Sequence, residues 1–354
     1  MKKKKRMITS LMLVLVLCVS LMGCGSGSSD SSEGDSDSGD TETLNIVFAI
    51  MEYADEPQEI WMDAFEESIE ELSDGAITIE THYCGELGDG ADQIELIQSN
   101  VINMGTVDSG PAAAIVPEVG VLALHWLMPE TYDSMYNMLD NSEAIATLEE
   151  LYSEAGLNIV SWETEGANFW TANKSITSPE DFEGFNMRTM DNAFIQANYI
   201  AYGANATVIS FSELYSALQL GTVDGEINPA SVVYSSKFYE VQDYLIQPTA
   251  DYNFYSVVAN EDFYAGLTDS QKEIIDTAIA QASESYRAQV EENEEEALDK
   301  LVNECGMTLV TLTEEEREAF KALSGGAQDE YVELAGGKAE EILEQFLEDL
   351  ETYK

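Results

Sequence analysis

The sequence predicts an α/β protein of two lobes spanned by one long helix. Three observations carry that expectation. Strand and helix patterns alternate from Leu44 onward, the alternation restarts at Ile159, and a helical period then runs almost unbroken from 268 to 305. At 354 residues the chain is long enough for two ordinary domains. Its 45% hydrophobic content can fill a core in each.

Residues 44–50 form a short apolar run suited to a buried strand. Pro57 opens a helix in which Trp61, Ala64, Phe65, Ser68, Ile69 and Leu72 recur on one face, and Asp74-Gly75 stops it. Ile77 and Ile79 alternate with Thr78 and Glu80 as a second strand. A helix with Ile94 and Ile97 inward precedes a third strand over 101–107. Such strand-helix-strand repetition points to a mostly parallel sheet.

In the second half, residues 159–162 read as a strand and Ser178-Pro179-Glu180-Asp181 as a turn into Phe182. Residues 185–190 form another strand, followed by a helix through Ile195 and Tyr199. Ser210 and Glu213 have capping-box spacing, with Leu214, Ala217 and Leu218 inward until Gly221. A second box, Thr268 with Gln271, starts the long helix, whose apolar stripe runs through Ile274, Ala282, Tyr286, Val290 and Val302. About 37 residues give roughly 55 Å, more than one lobe's diameter, so the helix is expected to lie across both. Its acidic stretch 291–296 reads as a solvated face; the alternative is a surface for a basic partner.

The first two dozen residues read as an address. Lys2, Lys3, Lys4, Lys5 and Arg6 precede an apolar run over 7–22. Sixteen residues at 1.5 Å each reach about 24 Å, short of the ~30 Å hydrocarbon core, which fits a signal peptide over 1–23. Leu21-Met22-Gly23-Cys24 resembles the lipobox of bacterial lipoproteins, implying cleavage before Cys24 and its diacylation. The alternative is an ordinary signal peptide with an incidental cysteine. The Gly, Ser and Asp-rich residues 24–43 have nothing to bury and read as a flexible acidic tether.

Net charge is −53, from 15 Lys+Arg against 68 Asp+Glu. Five of the positives lie in the first six residues, so everything after Arg6 carries −58. That surface repels phosphate backbones and anionic lipid, excluding nucleic acid and direct electrostatic adsorption to membranes. In the body beyond Cys24 and the tether only Cys84 and Cys305 remain; one disulfide and two free buried thiols both stay open.

The sequence offers little for catalysis. His82 and His125 have no metal-ligand spacing, and no nucleophile elbow, phosphate loop or dinucleotide fingerprint occurs. Carboxylates are too abundant for any pair to carry meaning. The expectation is a protein that is not an enzyme and needs no metal or cofactor. The informative feature is scarce positive charge. Between Met7 and Ser236 the only basic residues are Lys174 and Arg188. Arg188 sits in an apolar strand run, where a guanidinium needs a partner. Either it pairs with a carboxylate of the chain, or it is kept for an anionic ligand that it can grip bidentately.

Several stretches carry a resemblance. Leu87-Gly88-Asp89, Ser178-Pro179-Glu180-Asp181-Phe182-Glu183-Gly184-Phe185-Asn186-Met187-Arg188 and Glu213-Leu214-Tyr215-Ser216-Ala217-Leu218-Gln219-Leu220-Gly221-Thr222-Val223-Asp224-Gly225 resemble the solute-binding proteins of TRAP (tripartite ATP-independent periplasmic) transporters, a dicarboxylate-binding-protein-like family. The resemblance runs from about Leu44 to the C-terminus. It implies a two-lobe periplasmic-binding-protein-like fold with a hinge. Lobe I would comprise 44–165 with 254–295, and lobe II 166–253 with 296–354. It also implies that Arg188 bridges a ligand carboxylate, that Asn228 and Phe211 face the ligand, and that Asp108, Ser109 and Asp191 border it.

Two departures from the family pattern bear on the ligand. Many members carry a second ligand-facing arginine where this chain has Asn168, followed here by Phe169 and Trp170. Their common Leu-Pro is Leu124-His125 here, with Trp126 next. Fewer positive contacts and more aromatic surface favour a monocarboxylate with an apolar or aromatic body; alternatively Phe169, Trp170 and Trp126 are core or hinge packing. The implied function is a lipid-anchored extracytoplasmic protein, on the outer face of the bacterial cell membrane, that captures a small organic anion in an interlobe cleft and delivers it to a TRAP permease. The alternative is a sensor that presents its solute to a membrane receptor.

Overall fold

The computed structural model describes residues 43–353 apart from Asp55 and Asp89. The leader, Cys24 and the tether therefore lie outside the described residues. Ten strands form the scaffold: β1 (Leu44–Ala49), β2 (Ile77–His82), β3 (Met104–Asp108), β4 (Leu157–Ala172), β5 (Asn186–Thr189), β6 (Asn205–Val208), β7 (Gly225–Pro229), β8 (Tyr244–Gln247), β9 (Tyr252–Asn260) and β10 (Thr308–Thr311). Their order is β2-β1-β3-β9-β4-β7-β5-β6, with β8 also on β4 and β10 on β8.

The sheet is mixed, not mostly parallel. Each lobe keeps a parallel group, β2-β1-β3 in one and β7-β5-β6 in the other. Between them β4 and β9 run antiparallel, because β4 carries the chain into the second lobe and β9 carries it back. The strand-helix pattern reveals the parallel groups. It misses these connectors, which run antiparallel to each other and pass between the lobes.

Strand β4 serves both lobes. Leu157 through Ala167 pair with β9, and Asn168 through Ala172 pair with β7. The change of partner falls beside a register shift between Thr164 and Gly166. Gly166 has φ of 142°, a region open to glycine but strained for other residues. A Cβ there would also stand 2.6 Å from Glu294 Cδ. Gly166→Ala should therefore destabilise the fold by roughly 2–4 kcal/mol, from backbone strain plus overpacking. Chemical denaturation checks this, and a change below about 0.5 kcal/mol would show that both strains relax freely.

The long helix is Asp269–Asn303, 35 residues, and its Thr268/Gln271 capping box is formed. At 1.5 Å per residue it extends about 52 Å. Trp61 Nε1 donates to Ser283 Oγ at 3.1 Å, Tyr286 OH to Thr164 O at 2.9 Å, and Leu301 joins the second lobe's cluster with Leu214 and Phe238. The helix thus crosses both lobes. Its acidic stretch is not wholly solvated: Glu294 is buried and accepts the backbone N–H groups of Ala230 and Ser231 at 2.9 and 3.0 Å.

Other expectations meet local differences. The Ser210 box is incomplete, because the Ser210 hydroxyl donates to the Glu213 carboxylate (3.1 Å) and does not cap a backbone N–H. The helices Gly325–Ala335 and Ala339–Thr352 do not confine themselves to the second lobe. They return to residues 117–154, where Tyr331 OH donates to Glu118 O (2.8 Å) and Ser142 Oγ to Asp349 Oδ2 (2.6 Å). Cys84 and Cys305 are both half-buried and are not joined by a disulfide. Among the described residues no helix is long and apolar enough to cross a membrane.

Candidate functional site

The parallel strands of both lobes end at one cavity of about 330 Å³, a size suited to a small solute. Ligands of open α/β sheets bind at such carboxyl ends, where helices and loops diverge. Glu52 follows β1, Asp108 ends β3, Met190 and Asp191 follow β5, and Phe211 follows β6. Glu165 of β4, Asn228 of β7 and Asn253 of β9 complete the polar wall.

Arg188, on β5, is only 2% exposed. Its Nε donates to Ile209 O at 3.0 Å, and among the described residues it makes no ion pair within 4 Å. Burial pulls its pKa down to about 10, while the charges of Glu226 and Asp108 act in the opposite sense. It stays protonated at neutral pH. The reading of Arg188 as half of an internal ion pair is therefore not met. One edge of the guanidinium is fixed to the backbone, and the group borders the cavity.

Opposite charge surrounds the same space. Gln58 Nε2 donates to Asp108 Oδ1 (2.8 Å) and Glu165 Oε1 (2.6 Å), and Asn253 Nδ2 donates to Glu165 Oε2. The backbone N–H of Gln58 donates to Glu52 Oε2 at 2.7 Å. Burial, then mutual repulsion, holds Glu52 and Glu165 well above the ordinary carboxylate range. Asp108 is pushed up to about 6, chiefly by burial. The site is one fixed cation facing three crowded acids.

A family model described as bacterial extracellular solute-binding protein, family 7, matches residues 48–333. The chain belongs to that family. It is 31% identical over 305 residues to the ectoine-binding periplasmic protein TeaA of Halomonas elongata, covering 86% of this chain and 89% of that one. It is 28% identical to the ectoine/5-hydroxyectoine-binding protein UehA of Ruegeria pomeroyi, with the same coverage. The solved structure of the Halomonas elongata ectoine-binding protein from the TeaABC TRAP transporter superposes with a TM-score of 0.83 at 30% identity, covering 87% of this chain and 99% of that one. A family 7 member is a solute-binding protein of the TRAP type, not an enzyme.

Within this family 7 frame the residues expected from sequence divide into two groups. Arg188, Asn228, Phe211, Asp108 and Asp191 all line the cavity. Asn228 is held by its neighbour, its Nδ2 donating to Glu226 Oε2 at 2.5 Å, while Thr171 Oγ1 donates to Glu226 Oε1 at 2.7 Å. Phe211 stacks on Tyr53 of the other lobe with ring centroids 5.9 Å apart.

The aromatic residues expected to offer stacking surface do not line the cavity. Trp170 is fully buried and packs edge-on against Phe182, Tyr199 and Phe320. Phe169 faces the opposite side of β4, as strand alternation requires, and joins the Leu214 cluster. Trp126 donates its Nε1 to Tyr202 OH at 3.2 Å, with Arg317 over its ring. Asn168, Ser109 and His125 are buried behind the cavity wall. Asn168 does not stand in for a ligand-facing arginine, because its Nδ2 donates to Asp251 Oδ2 at 2.6 Å.

Glu52, Glu165, Asn253 and Met190 also line the cavity, and sequence patterns do not single them out. Glu52 and Glu165 vanish among 68 acids in the sequence. Their one distinguishing signal is position, directly after or within apolar strand runs where a carboxylate is costly. Among the described residues no group of three or more His, Cys, Asp or Glu side chains is placed to hold a metal.

Proposed function

We propose that the protein captures a small zwitterionic carboxylate outside the cytoplasm and hands it to a TRAP permease. The observation that carries this is the single unpaired Arg188 guanidinium sharing one 330 Å³ cavity with the carboxyls of Glu52, Asp108 and Glu165. Guanidinium matches a solute carboxylate bidentately. Three acids that repel one another gain most from a cationic group lodged between them. A plain anion would leave those acids crowded, and an aromatic body would find few rings. The names of the two relatives support the reading, since ectoine joins a carboxylate to an amidinium.

Calorimetry with ectoine, succinate and benzoate tests it. Ectoine, or another amidinium or ammonium carboxylate of that size, should bind at least 100-fold more tightly than the plain anions, about 3 kcal/mol. Equal or tighter binding of succinate or benzoate would overturn the zwitterion reading. Glu52→Gln should weaken the zwitterion by about tenfold or more and leave a plain carboxylate within threefold, because only the former meets the acid wall.

Attachment by a lipid on Cys24 belongs to the same proposal. A diacyl thioether with an added acyl chain anchors stably, whereas the −58 body is repelled by anionic lipid. Cys24→Ala should therefore appear in the soluble or secreted fraction. Its retention in membranes after a high-salt wash would remove the anchor from the account.

A further inference from the structure

Behind the solute cavity lies a second, smaller space of about 20 Å³. Its wall includes Ser109, His125 and Asn168, three of the residues singled out from sequence that miss the first cavity, together with Asp251. Met190 and Asn253 belong to both walls. The two spaces are thus separated by the thickness of a side chain.

Two polar atoms here have no hydrogen-bond partner among the described residues: His125 Nε2 and Asp251 Oδ1. They stand 3.7 Å apart, too far for a direct hydrogen bond, and their side chains are 1% and 7% exposed. The surrounding bonds assign their roles. Trp126 Nε1 donates to the Tyr202 oxygen at 3.2 Å, and that oxygen lies 2.8 Å from His125 Nδ1. Tyr202 then satisfies its own O–H by donating to Nδ1, which leaves the His125 proton on Nε2. Burial keeps the ring neutral, its pKa pulled down to about 3. Asp251 Oδ2 is already taken by Asn168, so Oδ1 is the remaining atom.

We propose that this space is a binding site for one water molecule, which accepts from His125 Nε2–H and bonds to Asp251 Oδ1, and that Met190 is the wall keeping it apart from the solute. A space of about this volume holds one water and no more, and buried waters take two to four polar partners. Water suits the pair because it donates to Asp251 as a carboxylate and accepts from it as an acid. Leaving a buried donor and acceptor unmade is costly, so the water belongs to the structure of the back wall. That it lies behind a solute rests on the proposed function; the water site itself does not.

A crystal structure of the full chain without added solute, at a resolution that places ordered waters, decides the site. Expected is one oxygen within about 3.2 Å of both His125 Nε2 and Asp251 Oδ1. An empty space, or a direct His125–Asp251 bond, would overturn it. Nitrogen-15 NMR gives an independent reading: His125 should hold its proton on Nε2 from pH 5 to 8, and a proton on Nδ1 would break the network described. In Met190→Ala the two spaces should join, so that ordered waters run from Asp251 toward Arg188. A wall that stays closed would deny Met190 its role. None of these outcomes depends on a solute, so failure of the zwitterion reading leaves the test intact.

Discussion

Arg188→Ala should weaken binding of a carboxylate solute by 100-fold or more, about 3 kcal/mol. Arg188 and Lys174 are the only positive charges between Met7 and Ser236, and Lys174 is exposed and engaged with Asp181 O and the Phe185 ring. Nothing else that lines the cavity can replace the charge. The guanidinium is anchored through Nε to Ile209 O, so its orientation is set before a solute arrives and little rotamer freedom is lost on binding. Its removal would leave a solute carboxylate buried among Glu52, Asp108 and Glu165 with no counter-charge, which is costly beyond the lost contact. Arg188→Lys should recover only part of the loss, since a point charge cannot reproduce the planar fork. Calorimetry on an established solute reads the effect. Affinity within threefold of wild type in the alanine variant, with the fold intact, would assign Arg188 to structure.

Stability in the absence of solute should fall as pH rises from about 4 to 7. Burial holds Asp108 at about 6 and Glu226, Asp251 and Glu294 at about 7, and raises Glu52 and Glu165 in the same sense. In the unfolded chain these groups titrate near their ordinary values of about 4. Across that window the folded protein binds more protons than the unfolded one, so each pH step upward favours unfolding. The slope is steepest between the unfolded values near 4 and the folded values of about 6 to 7, and it weakens outside that window. His125, pulled down to about 3 by burial, and Asp181 and Glu316, also lowered, act oppositely, but they are three groups against six raised acids. The −58 surface adds self-repulsion in the same direction as the buried acids. Together these are worth several kcal/mol, or at least about 5 °C in Tm between pH 5 and 7.5 for a chain of this size. Scanning calorimetry at fixed ionic strength tests it, and a Tm that is flat or rises over that interval would contradict the account.

Much of this protein is legible in one dimension. The parallel groups follow from alternating apolar runs and helical periods, and the 35-residue helix from its stripe and Thr268/Gln271 box. Arg188 stands out because a lone cation in an apolar strand needs a reason. Such features depend on neighbours within a few residues, so local pattern suffices to find them.

The tertiary structure alone decided what depends on distant partners. Residues 159–162 alone read as a strand from sequence, yet β4 runs 16 residues because β9 and β7 meet it end to end. The aromatic residues Phe169 and Trp170 alternate across that strand into two different cores, which no composition argument predicts. Glu52 and Glu165 become one cavity wall only because Gln58 and Asn253 hold them together from elements up to 107 residues away in sequence. Burial also separates these acids from the other carboxylates. Desolvation, unlike charge or hydrophobicity, is a property of where the chain places a group, and no residue carries it alone.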